Sequence, residues 1–226
     1  MRHSPGRTVR GLYRRFNPMT LTPALVRDYD AQAADRATTD TATFGLGCFW
    51  GPDARFGAVD GVVRTRVGYA GGTKLDPSYH SLGDHTEVLQ VDFDPDAVTY
   101  RDLLEAVFRQ HDPQTQPAKP QYQNVVFAST DTRRAAVETV LSAVGETAES
   151  VETRIEQLSR FYPAEDYHQK YRLRSKSSFL SVFEEAGYDA EGIRDSPIAA
   201  KLNGYVAGHA VDVDTDRPAS DRHVSE

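Results

Sequence analysis

Phe44-Gly45-Leu46-Gly47-Cys48-Phe49-Trp50-Gly51 holds the only cysteine and the only tryptophan of a 226-residue chain. Thr43 to Leu46 reads as a short strand, and Asp53 to Ala58 as the start of a helix. Cys48 is therefore expected at or just before a helix N-terminus. Exposed N–H groups and the helix dipole there stabilise a thiolate and lower the pKa from its free value of about 8.5. The flanking glycines permit a tight turn and leave room for a ligand. Phe49 and Trp50 cannot both enter one core, so one or both are expected to line an apolar pocket beside the sulfur. The competing reading takes Cys48 as a small buried hydrophobe and Trp50 as a core anchor.

Outward from this turn, the first 18 residues carry five arginines and no acid, after which the sign reverses. A basic arm, a presequence, or a natural start at Met19 all fit, and the apolar core of a secretory signal is missing. Thr22-Pro23 predicts a capped helix to about Arg36. Gly61 to Tyr69 alternates as a strand with Val63, Val67 and Tyr69 on one face. Thr86 to Asp94 is the most informative strand, because alternation puts Glu87 on the face of Leu89, Val91 and Phe93 and turns Gln90 and Asp92 away. A carboxylate heading an apolar face is desolvated and holds its proton nearer neutrality, as a general acid must. A strand-end Glu87 facing water is the equal alternative.

Thr99 and Asp102 form an acidic variant of the capping box. The helix they open carries Leu103, Leu104, Val107 and His111 on one side, so His111 is expected to be a satisfied core or cap histidine. Further elements are a strand at Asn124–Ala128, a helix from Thr130, a strand at Val151–Leu158, and a helix at Ser175–Ala186 ended by Gly187. The order strand, helix, strand, strand, helix, strand predicts an α+β, ferredoxin-like split βαβ two-layer sandwich with an antiparallel sheet and a C-terminal extension. The expected regions are 1–40, a basic arm and helix; 41–175, the catalytic domain; 176–205, a helical extension; and 206–226, a disordered acidic tail.

The net charge of −7 and pI near 5.5 argue against general nucleic-acid binding. No apolar run approaches the ~18 residues of a membrane span, and the expected compartment is cytoplasmic. One cysteine excludes an internal disulfide and a cysteine-based zinc cage. No metal site is expected: Asp92-Phe93-Asp94-Pro95-Asp96 lacks the turn glycine and late glutamate of a calcium loop and reads as a solvated strand end.

The run Gly47-Cys48-Phe49-Trp50-Gly51 resembles the active-site signature of the A-type peptide methionine sulfoxide reductases. Over about Ala42 to Tyr171 further segments match in order: Val67 to Gly72, Pro77-Ser78-Tyr79, His85-Thr86-Glu87-Val88, His111-Asp112-Pro113, Gln121-Tyr122, and Phe161 to Tyr171. The resemblance implies a Cys48 nucleophile attacking the sulfoxide sulfur, Glu87 as proton donor, Tyr79 and Tyr122 as phenolic donors, and Phe49 and Trp50 around the methyl group. The implied product is a Cys48 sulfenic acid, and the implied substrate the S-sulfoxide, free or in proteins. No bound cofactor is implied, only an external thiol: thioredoxin, glutaredoxin or a small thiol. Three departures stand out. The segment from Tyr79 to His85 is short, and no resolving cysteine exists. Pro117 stands where the family commonly has an aspartate, a loss that Asp84 or Asp112 is the candidate to cover. The rival readings are a one-cysteine thiol peroxidase and a non-catalytic ferredoxin-like binding module.

Overall fold

Strand β1, Asp40–Gly45, runs through the middle of the protein and delivers the cysteine turn from its end. The structure, a computed structural model, describes residues 21–213. The basic arm over the first 18 residues lies outside them, as do residues 214–226. One six-stranded sheet contains β1, β2 (Val62–Ala70), β3 (Thr86–Phe93), β4 (Val125–Phe127), β5 (Arg154–Glu156) and β6 (Phe161–Pro163), in the order β5-β4-β1-β3-β2-β6. β3 lies antiparallel between β1 and β2, with Phe44 opposite Leu89 and Tyr69 opposite Glu87. β4 is antiparallel to β1 and β6 to β2, while β5 runs parallel to β4.

The alternation read from β3 has a structural consequence. Leu89, Val91 and Phe93 enter the main core with Phe44, Phe56, Leu104 and Leu141, which come from β1 and from α2 (Trp50–Gly57), α3 (Tyr100–Phe108) and α4 (Asp131–Ser142). Thr99 and Asp102 form the expected capping box at the head of α3. The opposite face is also covered, by Ala70, Val88, Val125 and Phe127 with Leu158 and Phe161. Asp92 is therefore no solvated strand end. It is 3% exposed, ion-paired with Arg66 of β2 and hydrogen-bonded by Thr41 of β1. A single strand's pattern could not reveal these cross-strand partners.

Helix α1, Pro23–Gln32, begins at its Thr22 cap and ends four residues before Arg36, where Ala33 turns extended. It shares a second core with α5 (Tyr171–Arg174), α6 (Ser177–Glu185), α7 (Ala190–Asp195) and α8 (Pro197–Val206), built on Val26, Leu173, Phe183, Ile198 and Leu202. Val211 and Val213 also pack into this core. The expected disordered tail thus does not begin at Val206; two alternating valines anchor the chain to Val213.

α8 lies hard against α2, the helix that follows Cys48. A Cβ built on Gly57 would sit 2.3 Å from the Ala200 carbonyl oxygen, and one on Gly204 2.7 Å from that of Ala54. Gly51, at the other end of α2, meets nothing within 4 Å. Gly57→Ala is expected to destabilise by about 1–3 kcal/mol through overpacking, whereas Gly51→Ala gains up to about 1 kcal/mol from helix propensity. Urea unfolding of the two variants checks the contrast, and equal stability would deny that α8 is pressed onto α2.

Candidate active site

β1 ends at Gly45, and Gly47 at φ +71° turns the chain so that Cys48 precedes Phe49, the N-cap of α2. The helix starts at Trp50, earlier than the Asp53 read from sequence. Its first turn is fixed from below. The Asp53 carboxylate, 0% exposed, accepts the Thr65 hydroxyl at 2.5 Å, the Lys170 amide at 3.2 Å and the Asn203 side-chain amide at 3.0 Å. The Lys170 ammonium, equally buried, lies 3.5 Å from Asp53 and donates to the Thr65 carbonyl. Lys170 adopts the left-handed region at φ +53° to present both groups.

Glu87, near the start of β3, is 1% exposed and points at this turn. One carboxyl oxygen accepts the Phe49 amide at 3.1 Å; the other accepts Gln121 Nε2 at 2.6 Å. Burial raises its pKa, against the lowering effects of those two donors, of the Lys119 charge and of a hydrogen bond with Cys48. The strand-end alternative is thereby excluded: Glu87 faces inward.

Cys48 is exposed, so it is not the small buried hydrophobe of the competing reading. Its thiol nevertheless departs from expectation. Protein mass on one side of the sulfur strips water and pushes the pKa up, and the Glu87 carboxylate adds to this; the Trp50 amide and the Arg172 charge pull the other way and lose. The helix N-terminus does act on the sulfur, but a neighbouring anion and desolvation outweigh it.

Tyr79 and Tyr122 converge, their phenols hydrogen-bonded to each other. Burial, with the charges of Glu87, Tyr79 and Cys48, raises the Tyr122 pKa and keeps it a donor, while the Lys119 ammonium stands 4.9 Å above its ring. Asp84 and Asp112 do not take the place of the missing aspartate. Asp84 is consumed by Thr73 and Lys74, which hold its pKa down at about 2, and Asp112 accepts the Gln114 amide. His111 is a structural histidine, bonded at both ring nitrogens to Val107 O and Thr153 Oγ1.

The two aromatic residues part company. Phe49 is 1% exposed and packs against Tyr69 and His168, so its ring belongs to the main core. Trp50 is half-buried, stacked on Tyr171 at 3.7 Å and 3°, and donates its indole N–H to His168 Nδ1 at 3.2 Å. Gln121, Glu165, His168 and Tyr171 lie within the matching segments, but the sequence alone assigns them no role. Glu165 accepts the Tyr79 amide at 2.9 Å and the Tyr69 hydroxyl at 2.7 Å, so it positions the turn that carries Tyr79. The three-residue spacing of Glu165 and His168 was the available signal that they act together.

Residues 40–191 match the sequence model of the family described as peptide methionine sulfoxide reductase. The peptide methionine sulfoxide reductase of Drosophila melanogaster is 41% identical over 174 residues, covering 76% of this chain and 70% of that protein. MsrA of Methanothermobacter thermautotrophicus is 45% identical over 144 residues, covering 58% of this chain and 85% of its own. Among solved structures, methionine sulfoxide reductase A of Corynebacterium diphtheriae superposes with a TM-score of 0.54 at 29% identity, covering 64% of this chain and 79% of that one. α8 lies beyond the matched residues.

The coupling of Glu87 to Cys48 has a definite sign. Glu87→Gln removes an anion beside the sulfur, so the Cys48 pKa falls and more thiolate is present at neutral pH. The pH dependence of alkylation by iodoacetamide measures this, and an unchanged or higher pKa would disconnect the two groups.

Proposed function

The chain belongs to the peptide methionine sulfoxide reductase family, and on that premise we propose which of its residues carry the reaction. It is an oxidoreductase that returns methionine sulfoxide to methionine. The observation that carries our assignment is Glu87, a buried carboxyl group that bears on Cys48, is held by Gln121 and the Phe49 amide, and has its pKa raised by burial. Cys48 attacks the sulfoxide sulfur while Glu87 protonates the oxygen, on which negative charge develops. The phenols of Tyr79 and Tyr122 donate to the same oxygen. Trp50 forms the exposed wall for the S-methyl group, and Phe49 contributes its amide to Glu87 and its ring to the floor. The substrate epimer is the S-sulfoxide, free or in proteins.

The balance is simple. Cys48–SH and the sulfoxide give methionine and Cys48–SOH, the oxygen passing to the cysteine sulfur. With a single cysteine in the chain, an external thiol condenses with the sulfenic acid, releasing water, and a second thiol resolves the mixed disulfide. Thioredoxin, glutaredoxin or a small thiol serves; the exposure of Cys48 supports access by any of them. No helix among the described residues is long and apolar enough to cross a membrane.

We infer further that β1 to β4, in the order β4-β1-β3-β2, form with α2 and α3 a ferredoxin-like split βαβ unit. Residues 41–175 are then the catalytic unit, and the helices from 176 onward support α2 from behind.

Cys48→Ser is expected to abolish reduction with the fold retained, because a hydroxyl is too weak a nucleophile here. Glu87→Gln should lower the rate roughly 10²–10⁴-fold. Since the Glu87 pKa is raised, its proton persists to higher pH and the rate falls above that point; the variant loses this alkaline limb. For recycling, one equivalent of S-sulfoxide with no added thiol should yield a dimedone-reactive monomer one oxygen heavier and one methionine per chain. A disulfide dimer as main product would move recycling between subunits.

A further inference from the structure

His168 is 2% exposed, enclosed by Phe49, Trp50, Tyr79 and Tyr167. Its Nδ1 accepts the Trp50 indole N–H, which fixes the neutral tautomer with the proton on Nε2. That Nε2 has no hydrogen-bond partner. The nearest acid, Glu165, stops 4.0 Å away, with both oxygens already used by Tyr69 and the Tyr79 amide. A buried donor without an acceptor is costly and rare. Here the ring spends its one lone pair on Trp50 and leaves the other nitrogen unsatisfied, so the indole contact sets its orientation.

We propose that His168 is a proton-gated positioning residue: neutral, it clamps the only tryptophan of the chain against Tyr171 and shapes the methyl pocket; protonated, it releases the indole. The inference rests on Trp50 forming that pocket wall. The gate follows from donor counting. An imidazolium carries a proton on both nitrogens, so Nδ1–H would face the indole N–H, donor against donor. The same cation gains an attractive partner in Glu165, which draws the ring away from Trp50.

The groups facing His168 decide where the gate sits. Around it stand Phe49 and Trp50 at the start of α2, which do not titrate, the Tyr79 ring, and the Tyr167 phenol, whose pKa burial and the Glu165 charge raise. Burial and His80 disfavour the cation, Glu165 favours it, and burial prevails. The clamp is therefore closed at neutral pH and opens on the acid side. Glu87 limits the alkaline side through its proton; His168 limits the acid side through the pocket. The two limbs should separate, one in kcat and the other in KM.

The test uses the full chain, its His168→Asn and His168→Phe variants, and Trp50 fluorescence from about pH 8 to about pH 5, beside kcat and KM for a methionine-sulfoxide peptide. The native protein should show a one-proton fluorescence transition below the ordinary histidine value of about 6.5, with KM rising in parallel by about 10-fold, the scale of one lost buried hydrogen bond. Asparagine can offer Oδ1 to the indole but does not titrate, so His168→Asn should show no transition and a KM flat into acid. Phenylalanine preserves ring packing without an acceptor, so His168→Phe should show the raised KM at every pH. Persistence of the transition in both variants, a native KM that does not follow the fluorescence, or a native-like KM in His168→Phe would each overturn the proposal. If the phenylalanine variant fails to fold by circular dichroism, the native and asparagine titrations decide alone. Absence of sulfoxide turnover in the native protein would count against the pocket reading, whereas the fluorescence titration judges the clamp separately.

Discussion

The carboxylate of Asp53 is the point at which the parts of this protein meet. It sits at the first turn of α2 and gathers Thr65 from β2, Lys170 from the residue before α5, and Asn203 from α8. A buried ion pair of this kind adds little net stability, but removing one partner strands a charge and costs about 3–5 kcal/mol. Its value is register. Any rotation or slide of α2 would break several of these bonds together, and Cys48, Phe49 and Trp50 all take their positions from that helix. Lys170 lies in the left-handed region so that both its amide and its ammonium can serve the same site. Helix α8, beyond the residues that match the family, thereby reaches within one side chain of the catalytic helix.

Position, once fixed, sets the protonation of the site. Phe49 is the hinge between the two effects: its ring enters the core while its amide holds Glu87. Burial raises the hold of both Glu87 and Cys48 on their protons, and the Glu87 charge adds to it at the sulfur, while Cys48 eases the proton off Glu87. Both groups are thus shifted toward their protonated forms. This suits a reaction whose first need is a proton on the sulfoxide oxygen, with the nucleophile released only as that proton moves.

Much of this could be read in the chain. The cysteine turn and the capping box at Thr99 are local patterns, in which neighbours in sequence determine neighbours in space, whereas alternation along β3 leaves an inward and a water-facing Glu87 equally open. The raised thiol is not legible in the chain, because it depends first on burial by the folded surroundings and then on Glu87, thirty-nine residues away in sequence. Asp92 was misread for the same reason, its partners Arg66 and Thr41 lying on two other strands. Val211 and Val213 were assigned to a tail because their partners come from α1 and the last helices. Phe49 and Trp50 were rightly expected to part, yet which one faced the core depended on where α2 began.

Two carboxylates border the site, and their environments push them apart. Glu87 has two hydrogen-bond donors, but burial on both faces of β3 outweighs them and its pKa rises. Burial also acts on Glu165, which is half-exposed; there the Tyr79 amide and the Tyr69 hydroxyl, with His168 nearby, outweigh it and the pKa falls. Separation of this kind sorts acids by task. The group shifted toward its protonated form is placed against the reacting sulfur. The group shifted toward ionisation is placed behind the tyrosine and histidine, where it holds the Tyr79 turn through its amide and lies 4.0 Å from the imidazole. The same fold thus shifts one carboxyl toward its protonated form and the other toward its ionised form, and Trp50 reaches the second only through His168.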